Sequence, residues 1–292
     1  MSERLGFAGL GNLGGVLAGR LIECGFDVNV FDVVPEKVKE LEASGGKGVS
    51  TIKELCEKSS VVLTSLPAPK VVEDVYFGKD GILENLSEGS CVIELSTIDV
   101  ETMKKIDKAA KEKNIHVIDS AISAGIPECK TGNAVLLVGA EDEVLAKYRP
   151  ILEALAGDKI HHVGIPGDGK AIKLVNNIMS LGSVLLGSEA FLMGVQSGID
   201  PQKLYDVLTK CAGRSFQFTK RMPKWIENDF KAGFSIDMGT KDLKLGLDMA
   251  EKMGRQIPIA EHVYQYFHEA QDDGNGKLDV IAITKTVEKK AK

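Results

Sequence analysis

Residues 5–14, LGFAGLGNLG, constrain this chain more than any other stretch. A short apolar run, LGFA, leads straight into Gly9, Gly11 and Gly14, and an amphipathic segment at 14–24 follows. A strand that must turn into a helix over so few residues needs glycine for three reasons. The first allows the tight turn, the second lets a ligand approach the backbone, and the third lets the helix lie against the strand. The open helix start, with Leu10, Asn12 and Leu13 completing the cradle, presents N–H groups suited to phosphate oxygens. Asp32 closes the next apolar run, 23 residues beyond Gly9 (32 − 9). A carboxylate there can hold both hydroxyls of a ribose and repels a further phosphate. The residues after it are Val33, Val34 and Pro35, with no arginine, so the pattern points to NAD rather than NADP.

The rest of the first half continues the theme. Short β-branched runs at 28–31, 61–65, 91–95, 116–119, 135–138 and 160–163 alternate with helical patterns, including 35–43 and 102–113. That alternation predicts a mostly parallel sheet with crossover helices, a Rossmann-type α/β domain. Ligands of such sheets lie beyond the carboxyl ends of the strands, which makes Leu66, Pro67 and Thr97 further cofactor contacts. After Val163 the pattern becomes purely helical, with segments at 170–197, 201–211, 216–228, 235–253 and 259–272. Asp200 followed by Pro201 is a strong helix start. The glycine-rich GIPGDG at 164–169 divides the chain into residues 1–164 and an all-α part, 165–292.

Composition sets limits on function. A net charge of −6 gives no concentrated basic surface for nucleic acid. The five cysteines are scattered, without a CxxC pair, as expected of thiols in a reducing compartment. No signal-peptide pattern opens the sequence, so a cytoplasmic enzyme is expected. The apolar stretch 174–195 carries Asn176, Asn177, Ser180, Ser183, Ser188 and Glu189, which reads as a protein-buried helix rather than a membrane span. The lysines from Lys285 to Lys292 read as a solvated helix end. No metal is expected. In DDGNGKLD, placing Gly276 as the loop glycine puts Gln271 and Ala282 at the terminal ligand positions, which suits no calcium site. His161 and His162, adjacent on a strand, point to opposite faces.

Four stretches, in order, resemble the β-hydroxyacid dehydrogenase family, which includes 3-hydroxyisobutyrate dehydrogenase, tartronate semialdehyde reductase and 2-(hydroxymethyl)glutarate dehydrogenase. They are GFAGLGNLG with Asp32, DSAISAGIPECKTGNAVLLVG at 119–139, GDGKAIKLVNN at 167–177, and Lys241-Asp242-Leu243. The resemblance covers nearly the whole chain. It implies a helical domain like that of 6-phosphogluconate dehydrogenase, a small hydroxy-acid or semialdehyde substrate, and a homodimer or homotetramer. The second stretch departs from the family pattern at Ala121, Ala124 and Glu128, where the family has proline and glycines. The loop of this stretch, after Asp119, can still offer a hydroxyl and backbone N–H groups to a carboxylate, but its pocket differs.

The resemblance assigns the catalytic role to Lys173, which would exchange a proton with the reacting hydroxyl. By spacing alone it would be a surface lysine with its stem on apolar neighbours. Asn177, four residues on, shares its helix face. Ser123 and Gly125 are expected to grip the substrate carboxylate. The resemblance places Lys241 against both cofactor and substrate, with Asp242 beside it. Phe234 is expected as a pocket aromatic and Arg214 as a partner for a distal carboxylate, although arginine at a helix end is commonly a carbonyl cap. An imine reductase or a non-catalytic NAD-binding interaction protein would use the same fold. The first need not have this lysine, and some of the second have lost it.

Overall fold

The computed structural model describes residues 3–291; Met1, Ser2 and Lys292, the last of the tail lysines, lie outside the described residues. The chain divides into two compact units, residues 1–173 and 174–292.

The first unit is built on β1 (Arg4–Ala8), α1 (Gly14–Glu23), β2 (Asp27–Phe31), α2 (Pro35–Glu42), β3 (Lys47–Gly48), α3 (Ile52–Lys58), β4 (Val61–Thr64), α4 (Pro69–Phe77), α5 (Ile82–Asn85), β5 (Cys91–Glu94), α6 (Val100–Lys111), β6 (His116–Ile122), α7 (Ile126–Lys130), β7 (Leu136–Gly139), α8 (Asp142–Ala156) and β8 (Ile160–Gly164). The strands form one sheet in the order β3-β2-β1-β4-β5-β6-β7-β8. All neighbours are parallel except β6 and β7, which pair antiparallel. The seven strands expected from sequence are present. The two-residue β3, Lys47-Gly48, is additional and too short to leave a periodic signal.

Side chains alternate across the sheet. Phe7, Leu63 and Ile93 meet Leu17 and Leu21 of α1 and Leu152 of α8 on one face, whereas Val62 and Val92 meet Leu55, Val72 and Met103 on the other. Coverage on both faces explains why β4 and β5 are buried throughout, each with a run of consecutive apolar residues instead of an alternating pattern. The strand order reverses at β1, which lies between β2 and β4. A crevice at the carboxyl ends of β1 and β4 is therefore the expected ligand position.

The sequence ended this strand at Asp119 and left the residues after it to a loop. The structure corrects this: β6 runs on through Ser120, Ala121 and Ile122, each paired with β7. Ala121 has the N–H that a proline would lack, so the chain can remain in the ladder. Only residues 123–125 form the connection to α7.

The helix α9 (Asp168–Gln196) begins in the first unit and continues into the second, which adds α10 (Pro201–Leu208), α11 (Phe216–Ile226), α12 (Ile236–Lys252), α13 (Pro258–Ala270) and α14 (Ile283–Lys290). Asp200, Ser215 and Ser235 cap α10, α11 and α12 by accepting backbone N–H groups. The core of this unit joins Leu181, Leu185 and Phe191 of α9 to Phe218, Leu243, Phe267 and Ile283. Helix α14 buries Ile283 and Val287 and exposes its lysines, so only one face of that tail is solvated.

Two features of this unit were not foreseen. Helix α9 is not wholly buried, because Val175, Met179, Leu186 and Met193 stand exposed along it. In addition, Asp279 is almost fully buried and gathers its surroundings. Its carboxylate accepts Arg221 Nη1 at 2.5 Å, Gly233 N at 3.0 Å, and Phe234 N and Ile281 N at 3.3 Å each. Burial alone would raise this carboxyl's pKa. The Arg221 guanidinium and the donated hydrogen bonds outweigh it and hold the pKa below the ordinary value.

Candidate active site

The glycine loop has the expected construction. Gly9 adopts φ +93°, open to glycine at little cost. A Cβ on Gly14 would lie 1.9 Å from Gly9 O, so helix and loop could not approach as they do. A Cβ on Gly11 would meet nothing within 4 Å, which leaves the approach clear. Helix α1 has no side-chain cap and no acidic residue in its first turn. These features fit a dinucleotide pyrophosphate at its N-terminus, where dipole and N–H groups favour an anion.

Asp32 lies one residue past β2, and its carboxylate is held in place. Oδ2 accepts Leu10 N at 2.6 Å and Oδ1 accepts Val34 N at 2.8 Å. At the ends of β4 and β5, Leu66 N donates to Ser96 Oγ at 2.8 Å, joining the loop of Leu66 and Pro67 to that of Thr97. Below them Glu94 is wholly buried. Its carboxylate accepts Thr64 Oγ1 and Ser96 N, each at 2.5 Å. Thr64 Oγ1 is in turn 2.9 Å from the Tyr76 hydroxyl, whose pKa is raised well above normal by burial and then by Glu94, keeping the phenol neutral.

Ser123 follows directly on β6, its N–H bonded to Val135 O at 2.9 Å, and Gly125 precedes α7 as its N-cap, with no side-chain cap. Lys173 is half-buried near the start of α9. In the second unit, Asn177 is buried. It donates from Nδ2 to Asp242 Oδ2 at 2.7 Å and accepts from Asn176 Nδ2 at 3.0 Å. Asp242 Oδ1 lies 2.9 Å from Lys241 Nζ. Lys241, Asp242 and Asn177 are therefore one polar cluster, and Asp242 is buried within α12 rather than part of an exposed helix start. Arg214 belongs to another set. It is exposed, with Nη1 3.5 Å from Thr209 O at the end of α10, and it lines an open cavity of about 360 Å³ with Ser215, Phe216 and Thr219. Phe234 is half-buried against the helical core.

Residues 4–164 match the family described as the NAD binding domain of 6-phosphogluconate dehydrogenase. Residues 167–287 match the one described as the NAD-binding domain of NADP-dependent 3-hydroxyisobutyrate dehydrogenase. The chain is 33% identical to 3-hydroxyisobutyrate dehydrogenase of Pseudomonas aeruginosa, over 96% of this chain and 97% of that protein. The chain belongs to the β-hydroxyacid dehydrogenase family. It is 31% identical to 2-(hydroxymethyl)glutarate dehydrogenase of Eubacterium barkeri, over 98% and 95% of the two chains. Among solved structures, 3-hydroxyisobutyrate dehydrogenase of Mycobacterium tuberculosis with L-serine superposes with a TM-score of 0.89 at 29% identity, covering 98% and 99%. The protein is accordingly a nicotinamide-dependent oxidoreductase of CH–OH groups.

Within this family frame, sequence reasoning missed two buried charged residues of the first unit, Glu94 and Lys170. Glu94 lies outside the four stretches, and Lys170, although inside GDGKAIKLVNN, had no role assigned to it. The one available signal was Lys170 itself, a second lysine one helical turn before Lys173.

Proposed function

We propose that this β-hydroxyacid dehydrogenase oxidises the hydroxyl of a small β-hydroxy-carboxylic acid with NAD, or runs the reverse semialdehyde reduction, with Lys173 as general acid/base. The supporting observation is Lys173 itself, on the first turns of a long helix whose start is bound to the sheet that carries the glycine loop. The glycine loop at 9–14 and Asp32 would hold NAD, which when bound would supply the hydride acceptor for the carbinol carbon. Lys173 Nζ takes the hydroxyl proton, the C–O bond becomes a carbonyl, and charge and electrons balance. Ser123 and the Gly125 backbone hold the substrate carboxylate. Asn177, fixed by Asp242, orients a substrate oxygen, and Lys241 borders both ligands. Arg214, with Phe216 beside it, is the residue able to take a second carboxylate, as in a 2-(hydroxymethyl)glutarate-like acid; Phe234 closes the pocket. Residues 1–164 carry the cofactor loop and the grip on the substrate carboxylate, and 165–292 carry the remaining substrate contacts and assembly. The test is NADH formation with purified protein across 3-hydroxyisobutyrate, 2-(hydroxymethyl)glutarate, 4-hydroxybutyrate and L-serine. No turnover of any acid despite NADH binding would defeat the reading.

For the cofactor, NAD is preferred over NADP because the pinned Asp32 carboxylate stands where a 2′-phosphate would fall. Asp32→Ser is expected to reduce kcat/KM with NAD about 10- to 100-fold, the value of a hydrogen bond to a charged group, and to raise the NADP/NAD ratio. A wild-type enzyme faster with NADP would refute this assignment.

The protein is cytoplasmic and assembles as a homodimer or homotetramer. Met179, Leu186 and Met193 recur every seven residues on α9 and are 68%, 69% and 70% exposed, an apolar stripe suited to a second copy rather than to water. Leu186→Glu is expected to halve the mass measured by light scattering or reduce it to that of one chain. An unchanged mass would place the interface elsewhere.

A further inference from the structure

Lys170 is a charged residue of the first unit that the proposed chemistry leaves unused, and it is fully buried. Its Nζ lies 3.0 Å from Asp119 Oδ1 and donates to the main-chain oxygen of Glu94 at 2.7 Å. Asp119, also fully buried, accepts Gly167 N at 2.9 Å and Lys170 N at 3.0 Å through Oδ2. The carboxylate therefore caps the start of α9, and the ammonium beside it neutralises that carboxylate. The fit is close: a Cβ on Gly169 would come within 2.9 Å of both Asp119 carboxylate oxygens and 2.5 Å of Leu137 O.

Two neighbouring strands of the sheet are thus tied to one helical turn. Asp119 belongs to β6 and Glu94 to β5. The Glu94 side chain organises Ser96, which in turn holds the Leu66 loop at the end of β4. Lys173 follows Lys170 by three residues, one turn along the same helix. Burying an ammonium and a carboxylate is unfavourable until they are paired and hydrogen-bonded. A neutral residue could fill the space, so what the pair adds is a fixed position. We infer that Lys170 is a positioning residue, whose ammonium, clamped between Asp119 and the Glu94 main chain, holds the first turn of α9 so that Lys173 is set against the loops ending β4 and β5. This rests on Lys173 being the acid/base.

The experiment compares Lys170→Met, Lys170→Gln and Lys173→Ala in the full chain, with folding followed by circular dichroism. Lys170→Met is expected to bind NADH with near wild-type Kd and to change KM for the hydroxy acid little. Its kcat should fall about 100-fold, the effect of a misplacement near 1 Å. Lys170→Gln, whose amide can donate to both oxygens, should recover most of kcat. If Lys170→Met does not fold, Asp119→Asn, which keeps an oxygen for the helix N–H groups, should show the same loss confined to kcat. Wild-type kcat in folded Lys170→Met or folded Asp119→Asn overturns the inference, and so does failure of both of these variants to fold, since the pair would then serve only the core. Full activity of Lys173→Ala would instead defeat the acid/base reading itself. An inactive Lys173→Ala beside a fully active Lys170→Met would defeat the positioning role alone.

Discussion

Replacing Lys173 by alanine is expected to lower kcat about 1,000-fold while NADH still binds with near wild-type affinity. A positioned acid/base contributes roughly 10²- to 10⁴-fold to a proton-coupled step, and the middle of that range corresponds to about 4 kcal/mol of barrier. The alternative role for a lysine in such a place is purely electrostatic, steadying a developing alkoxide. Lys173→Arg separates the two. A guanidinium keeps the positive charge and the donors but does not give up its proton in proteins. A proton-transfer role therefore predicts that arginine is nearly as poor as alanine, whereas an electrostatic role predicts substantial recovery. Steady-state NADH formation, with NADH binding followed by fluorescence, supplies both numbers. Because Lys173 is half-buried and lies on the helix surface, neither variant should alter folding enough to confuse the comparison. Alanine at wild-type rates would remove the mechanism proposed here.

The parts of this protein that sequence reveals are those whose physics is local. Gly9 and Gly14 are dictated by the backbone within a few residues, and Asp32 by the end of one strand, so the cofactor loop could be read directly. The continuous apolar runs of β4 and β5 follow from burial on both faces. Residues 120–122 were misplaced because whether such a segment is loop or strand depends on β7 pairing with it, a partner more than ten residues away. The same holds for α9. Its composition shows that it is apolar, but only the packing of α11, α12 and α13 determines which face is covered, and Met179, Leu186 and Met193 are not. Lys170 is the extreme case. Nothing near it in sequence distinguishes a solvated lysine from one enclosed by Asp119 and Glu94, because both partners arrive from other strands. The cluster of Lys241, Asp242 and Asn177 was assembled from resemblance, and its hydrogen bonds became visible only once α9 and α12 were packed.

The largest effect on stability is expected at Asp279. Asp279→Ala would strand the Arg221 guanidinium, only 11% exposed, and leave the N–H groups of Gly233 and Phe234 without their acceptor. Breaking a buried pair on one side costs about 3–5 kcal/mol. For a helical unit of this size that is a fall in Tm of about 10 °C or more. The effect should depend on pH, with a definite sign. The folded Asp279 carboxyl is held below its ordinary value, chiefly because Arg221 and the donated hydrogen bonds outweigh burial. Its contribution is therefore fully present above the unfolded carboxyl value of about 3.9 and is lost as pH falls through the lower folded value. Wild type and Asp279→Ala should differ most near neutrality and converge in acid below about pH 4. Asp279→Asn, which keeps an acceptor but no charge, should fall between them at neutral pH and lose the pH dependence. Thermal unfolding followed by circular dichroism across that range measures all three. A gap between wild type and alanine that stays constant into strong acid would mean that the buried charge contributes nothing beyond its hydrogen bonds.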